Sequence, residues 1–130
     1  SHDGKFTKIM YQAVWNQVSC ISAQRILDLG CGTGNMILRM QKEKPAEYYG
    51  LDLSEKMIEE AGSHLGAGVD LRVGDAEELP YTDHMFDLVV CNASFHHYPK
   101  PEQSLAEIRR VLKPGGSLVL GDPTVKNRVF

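Results

Sequence analysis

The residues best placed to do chemistry form a glycine-rich turn at positions 28–35, Asp-Leu-Gly-Cys-Gly-Thr-Gly-Asn. Gly30, Gly32 and Gly34 stand at alternate positions, and glycine lets a ligand approach the main chain closely. A helix is predicted to follow, and the first turn of a helix offers unpaired N–H groups. The turn could therefore bind a polar ligand through its backbone, although a tight turn without a ligand would use the same glycines.

The spacing of the glycines bears on the kind of ligand. The dinucleotide-binding pattern Gly-x-Gly-x-x-Gly would require glycine at position 35. The sequence has Asn35 there, and the third glycine is Gly34. The pattern is therefore Gly-x-Gly-x-Gly, which weighs against an NAD-dependent oxidoreductase.

Two aspartates could bind a nucleoside beside this turn. Asp52 closes a predicted strand about 20 positions after the glycines, where an acidic residue can accept hydrogen bonds from both ribose hydroxyls. Asp75 follows the next predicted strand and could accept from an adenine amino group, while nearby backbone N–H groups meet the ring nitrogens. The alternatives are that Asp52 only stabilises a helix start and that Asp75 only makes an Asx-turn.

Alternating strand and helix patterns predict how these loops are positioned. Strands are predicted at 25–30, 48–53, 69–73, 86–91 and 117–121, and helices at about 35–44, from Ser54 to Gly66 and around 105–112, with a turn at 113–116. This order is typical of a doubly wound α/β fold, a mainly parallel sheet with helices on both faces. The informative loops all follow strands, so they should meet at the carboxyl edge of the sheet, where ligands bind.

The chain is predicted to have two parts, an amphipathic helix within residues 1–22 and a core domain over 23–130. Tyr11 and Trp15 lie one turn apart on the leading helix. They could close over a ligand as a lid, or they could pack onto the sheet.

Composition indicates an ordinary globular domain. The 130 residues are 42% hydrophobic and 24% charged, with a net charge of −3, which argues against a nucleic-acid partner. Cys20, Cys31 and Cys91 form no CxxC pair, which favours reduced thiols in the cytoplasm. Neither a membrane span nor a signal peptide is expected.

Several segments together resemble the class I S-adenosylmethionine (SAM)-dependent methyltransferase family. They are residues 26–34, Asp52, 74–76, 86–90 and 110–116, so the resemblance extends from about residue 24 to 122. It is greatest for the small-molecule type that includes quinone-biosynthesis C-methyltransferases. The resemblance implies a Rossmann-like fold, SAM as the cofactor, and direct in-line transfer of its methyl group to a small-molecule acceptor. A non-catalytic SAM-binding module or a truncated subunit is the alternative.

Carried over position by position, the resemblance also implies a cofactor site. The glycines, Asp28 and Asn92 are expected at the methionine end, Asp52 at the ribose, and the remaining residues around the adenine. The expected cofactor contacts are Asp28, Gly30, Gly32, Gly34, Asp52, Leu53, Met57, Asp75, Ala76 and Asn92.

His96 and His97 are the candidate catalytic residues, because a neutral histidine could serve as general base for an acceptor hydroxyl. The alternative, which is favoured, is that one packs under the loop and the other is solvated. Two adjacent histidines without a carboxylate cluster do not have metal-ligand spacing, so no metal is expected.

One departure from the family concerns the end of the sheet. The family's sheet usually continues to a final hairpin with an antiparallel strand, and the chain ends near Phe130. Strands six and seven are therefore expected to be missing. The fifth strand would then expose an open edge, which we expect either a second copy, in a homodimer, or an ordered tail to cover.

Overall fold

The computed structural model describes residues 2–92, 95–122 and 126–130, and the side chains of 8–92, 95, 97–121 and 130. Its helices are α1 (His2–Val18), α2 (Asn35–Glu43), α3 (Glu55–Leu65) and α4 (Pro101–Val111), with a short 3₁₀ turn at Phe95–His97. Its strands are β1 (Arg25–Leu29), β2 (Glu47–Asp52), β3 (Asp70–Val73), β4 (Phe86–Asn92), β5 (Leu112–Asp122) and β6 (Lys126–Val129).

The strands form one sheet in the order β3-β2-β1-β4-β5-β6. β1 to β5 run parallel, and β6 pairs antiparallel with β5. The chain proceeds from β1 outward to β3 and then returns to the other side of β1, so the strand order reverses between β1 and β4. A crevice at the carboxyl ends of the strands beside such a reversal is where α/β sheets bind ligands. The predicted Rossmann-like fold is confirmed.

Two apolar clusters cover the two faces of the sheet. Ile26 and Leu27 are neighbours on β1, yet they belong to different clusters because successive strand side chains point to opposite faces. The cluster around Ile26 contains buried residues of α1, α2 and α3. The cluster around Leu27 contains Ile108 of α4 and the segment after β3. These clusters hold the strands in place, and the loops that carry the candidate residues extend from the ends of these strands.

Local signals set where the helices next to the loops begin. Gly34 has a φ of 89°, a left-handed conformation that redirects the chain from the glycine-rich turn into α2. Ser54 caps α3, and its side-chain oxygen accepts from the Met57 N–H at 3.2 Å. Both helices therefore start directly after the loops that carry the candidate residues.

The predicted turn at residues 113–116 is instead the first part of β5. β5 pairs with β4 through Phe86 and Leu112 and then through Leu88 and Ser117, so the register shifts across this segment. A bulge of this kind accommodates extra residues within a strand. The Pro-Gly-Gly signal marked an irregularity correctly, but the chain does not leave the sheet there.

The edge of β5 also differs from expectation. Residues 126–129 form β6, an antiparallel strand that was expected to be missing. The pairing continues to the end of the chain, since the Leu118 and Phe130 backbones exchange hydrogen bonds of 3.0 and 2.8 Å. A second copy or an ordered tail was expected to cover this edge, and the structure shows the ordered tail. The tail pairs there because an edge strand has unpaired N–H and C=O groups that can bond to another strand.

A substitution in the bulge tests this packing. A Cβ at Gly116 would lie 2.9 Å from the Lys113 carbonyl oxygen and 3.1 Å from that of Asp87, both backbone atoms. We expect Gly116→Ala to lower the free energy of unfolding by about 1–3 kcal/mol in urea denaturation, because neither carbonyl group can move away without straining the backbone. Gly68→Ala is the control, since a Cβ there meets nothing within 4 Å. Equal stability of the two variants would contradict the bulge geometry.

Candidate functional site

Asp52 connects the three loops at the carboxyl edge of the sheet. Its carboxylate accepts from the Gly32 N–H at 2.9 Å through Oδ2 and from the Ser54 N–H at 2.9 Å through Oδ1. Its backbone carbonyl accepts from the Gly74 N–H at 3.0 Å. The glycine-rich turn, the end of β2 and the start of the Asp75 loop are thus within hydrogen-bond distance of one residue.

A cavity of about 210 Å³ opens at this junction. Of the sequence-predicted cofactor residues it brings together Gly30, Asp52, Leu53, Asp75 and Ala76. The predicted catalytic residue His97 also lines it. One oxygen of Asp75 accepts from the Glu77 N–H at 2.9 Å, so the Asx-turn considered from sequence is present. The adenine contact of Asp75 stays a prediction.

The remaining predicted cofactor residues do not line this cavity but lie around the same edge. Asn92 ends β4, and its side-chain oxygen is buried without a hydrogen-bond partner among the described residues. Gly32 has a φ of 55°, and a Cβ there would meet nothing within 4 Å. Met57 is 39% exposed, and Leu53, which does line the cavity, is 67% exposed. An unsatisfied acceptor, an open glycine and exposed apolar groups are features that a bound ligand would use.

Asp28 supplies an unusual charge environment. It is 3% exposed on β1, and burial together with the charge of Asp52 raises its pKa to about 7. Burial is also the main cause that raises the pKa of the nearby Cys31 thiol, and the charges of Asp28 and Asp52 add to it. The thiolate, which is the nucleophilic form of cysteine, is therefore disfavoured at Cys31.

The two histidines and the leading aromatic residues have separate outcomes. His97 is exposed at the cavity, and the side chain of His96 lies outside the described residues. Trp15 is 6% exposed in the core, where the Arg39 guanidinium lies 4.4 Å from the centre of its ring. This is the packing interpretation for Trp15, and the role of α1 as a lid stays a prediction.

Some of the residues that line the cavity were not predicted from the sequence. Tyr98, Pro99 and Ser104 form one wall of the cavity, and Glu77 of the Asp75 loop also lines it. Nearby, Glu107 pairs with Arg110 at 2.7 Å and accepts from the Leu79 N–H at 2.8 Å, and both bonds lower the pKa of Glu107. Only the contact of α4 with the Asp75 loop reveals these roles, and no spacing signal along the chain marks it.

A larger cavity of about 790 Å³ lies between α4 and β5. Its walls are mainly apolar, with Arg109 and Lys113 among them, and include none of the predicted cofactor residues. Convergent polar groups identify a site better than volume does. The cavity beside Asp52 is therefore the candidate functional site.

Comparison with protein families identifies the class of protein. Residues 27–120 match the family described as "Methyltransferase domain". The chain therefore belongs to this family, and the fold and the ordered motifs make it a class I SAM-dependent methyltransferase domain. SAM is the cofactor of such a domain.

Individual relatives agree with this family. The chain is 42% identical over 106 residues to 27-O-demethylrifamycin SV methyltransferase of Amycolatopsis mediterranei, covering 78% of this chain and 39% of that protein. It is 39% identical over 99 residues to demethylmenaquinone methyltransferase of Lactobacillus johnsonii, covering 71% and 41%. The chain thus spans about two fifths of the length of these relatives.

Solved structures share the fold. The 4+2 cyclase SpnF has a TM-score of 0.78 at 31% identity, with 87% of this chain and 43% of that chain covered. The YcgJ protein from Bacillus subtilis also has a TM-score of 0.78, at 28% identity, with 88% and 50% covered.

The residues present fit the cofactor. Gly32 leaves open space beside the backbone, and the buried oxygen of Asn92 is an acceptor without a partner among the described residues. The buried acid Asp28 offers a counter-charge for a cationic ligand at the same edge. In the part of the chain that the structure describes, no group of three or more His, Cys, Asp or Glu side chains is arranged to hold a metal ion, and no helix is long and apolar enough to cross a membrane.

The raised pKa of Asp28 predicts an unusual pH dependence of stability. An acid whose pKa is higher in the folded state than in the unfolded state destabilises the fold as pH rises between the two values, here from about 4 to about 7. We expect Asp28→Asn to gain stability relative to the unsubstituted protein by at least about 1 kcal/mol more at pH 8 than at pH 4.5. Urea denaturation at both pH values measures this. A difference that does not change with pH would show that Asp28 titrates normally.

Proposed function

We propose that this chain binds SAM at the carboxyl edge of its sheet and transfers the methyl group to a small-molecule acceptor. The observation that carries the proposal is the bonding of Asp52 to both Gly32 and Ser54 beside the cavity that Asp75 lines. This arrangement supports one adenosyl ligand lying across three strand ends. Because the chain spans only part of its relatives, the activity and acceptor of the whole protein belong to the proposal.

The chain's own residues would bind and orient the cofactor. Gly30, Gly32 and Gly34 would approach the methionine part with their backbones, and Asp28 and Asn92 would meet its polar groups. Asp52 would hold the ribose with the lone pairs that its two N–H bonds leave available. Leu53 and Met57, the exposed apolar side chains, would enclose the adenine, whose edge would meet Asp75 and Ala76.

Positioning is the main contribution that the protein makes to the reaction. When bound, SAM supplies a methyl group made electrophilic by its sulfonium. Holding an acceptor in line with such a group can lower the barrier by about 7–11 kcal/mol in favourable cases. His97, which is exposed at the cavity, or its neighbour His96 would serve as general base and accept the proton of an acceptor hydroxyl.

Less direct observations support the proposals for the acceptor class, the cellular location and the oligomeric state. The rifamycin and demethylmenaquinone methyltransferases are named for small-molecule acceptors, which supports a small molecule here and no nucleic acid. Cys20 and Cys31 form no disulfide in the part of the chain that the structure describes, which supports a reducing cytoplasm. The homodimer expected through the β5 edge would have to form through β6, which now covers that edge. Sedimentation of the purified chain tests the dimer.

The direct test of the function has two parts. Calorimetric titration with S-adenosylhomocysteine should give saturable binding, whereas titration with NAD should give none. Incubation with methyl-labelled SAM and a panel of hydroquinones, phenols and carboxylic acids should then move label into one acceptor class. Absence of heat with S-adenosylhomocysteine would contradict the proposal.

A second candidate is a domain that binds SAM without methyl transfer. The likeness to the cyclase SpnF favours keeping it, because that protein is named for a different reaction on the same fold. Tight binding of S-adenosylhomocysteine without label transfer to any acceptor would favour this candidate over methyl transfer.

A pair of glycine variants separates binding from folding. Gly32 and Gly66 have positive φ values of 55° and 78°, and a Cβ at either would meet nothing within 4 Å. Gly66 lies at the end of α3 and outside the site. We expect both Gly32→Ala and Gly66→Ala to lose about 1–3 kcal/mol of stability from backbone strain, with the larger loss at Gly66, whose φ of 78° and ψ of −174° lie in a region that only glycine normally occupies. Only Gly32→Ala should weaken S-adenosylhomocysteine binding, by about tenfold or more, because its methyl group would enter the space that the ligand needs. Equal affinities in calorimetry would remove Gly32 from the site.

A further inference from the structure

Ser104 is a buried polar residue that the fold does not use. It is fully buried on α4, and its hydroxyl oxygen has no hydrogen-bond partner in the described part of the chain. Its backbone N–H bonds normally to the Lys100 carbonyl at 3.1 Å. A buried hydroxyl without a partner is unfavourable, and alanine is a better helix former of similar size. Packing alone would therefore favour alanine at this position.

The position of Ser104 suggests what its hydroxyl serves. Ser104 lines the cavity beside Asp52, on the wall that also contains Tyr98 and Pro99. Asp75 and Ala76, the residues assigned to the adenine edge, line the same cavity, whereas Gly32 and Asn92 do not. Its volume of about 210 Å³ is below the range of about 300–1,000 Å³ that is typical of small-molecule pockets, so it suits one part of the cofactor, such as a planar heterocycle, better than a whole adenosyl amino acid.

Neighbouring contacts hold Ser104 in a fixed place relative to the Asp75 loop. The Gln103 side chain donates to the Glu77 carbonyl at 3.1 Å. One turn further along α4, Glu107 accepts from the Leu79 N–H at 2.8 Å. These two bonds join α4 to the loop that follows Asp75, so the position of Ser104 relative to this loop is fixed without a bond from its own hydroxyl.

We propose that Ser104 is a positioning residue for the cofactor, and that its hydroxyl forms a hydrogen bond with the polar edge of the adenine ring. The inference rests on the proposed function, because it requires SAM in the site. A serine hydroxyl can donate or accept, and the adenine edge offers both ring nitrogens and an amino group. The ligand then bonds to a hydroxyl that has no hydrogen-bond partner among the described residues.

The test compares stability and affinity in one variant. Ser104→Ala should raise the melting temperature of the protein without ligand by a few degrees, about 2–8 °C, since it removes an unsatisfied hydroxyl. The same variant should bind S-adenosylhomocysteine about tenfold more weakly in calorimetry. Ser63→Ala is the control, because the exposed Ser63 hydroxyl donates to the Glu60 carbonyl on α3. It should leave the affinity unchanged.

Ligand analogues identify the contact from the other side. The 1-deaza, 3-deaza and 7-deaza forms of S-adenosylhomocysteine and S-inosylhomocysteine each alter a polar position of the ring. One of them should bind the unsubstituted protein about tenfold more weakly than S-adenosylhomocysteine and bind Ser104→Ala with the same affinity as the unsubstituted protein. An effect of Ser104→Ala that is equal for every analogue would overturn the inference, and so would a less stable or misfolded variant.

The two proposals fail in different ways. Normal binding of S-adenosylhomocysteine that Ser104→Ala leaves unchanged would overturn the role of Ser104 alone. No binding by the unsubstituted protein would overturn the proposed function, and the role of Ser104 with it.

Discussion

The candidate site depends on the hydrogen bonds of one carboxylate, that of Asp52. By accepting from Gly32 and Ser54 it holds the glycine-rich turn and the start of α3 against the end of β2, and its backbone carbonyl adds the loop after β3. The bonds from Gly32 and Gly74 join segments that are distant in sequence, whereas the bond from Ser54 is a local turn, so local propensity alone could not produce the arrangement. The parallel sheet makes it possible, because β1, β2 and β3 are adjacent and end at the same edge. A preformed site of this kind needs little ordering when a ligand binds.

The electrostatics of the site also centre on this residue. Burial and, to a smaller extent, the charge of Asp52 disfavour the ionised form of Asp28 and raise its pKa to about 7. Such a pair destabilises the protein alone and would be relieved by a cation placed beside it. The sulfonium and ammonium groups of SAM are cations. The Asn92 side-chain oxygen and the Ser104 hydroxyl also destabilise the fold locally, because they have no hydrogen-bond partner among the described residues. A ligand that bonded to them could offset this loss of stability.

The strands and the loops between them could be predicted from sequence because each signal is local. Apolar runs mark β1 to β5, and glycines and aspartates follow them at strand ends. Two features were not predictable in this way. The segment at 113–116 carries turn residues but stays in β5 through a bulge, which only its pairing with β4 determines. The wall of Tyr98, Pro99 and Ser104 depends on where α4 packs, and a serine on a helix looks the same in sequence whether it faces solvent or a cavity.

The most direct test of the account is a crystal structure of the chain with S-adenosylhomocysteine. The account predicts that both ribose hydroxyls bond to the carboxylate of Asp52 while the bonds from Gly32 and Ser54 persist, with Leu53 and Met57 enclosing the adenine and its polar edge at the wall that contains Ser104. A ligand bound in the larger cavity between α4 and β5, or one that leaves Asp52 untouched, would contradict it.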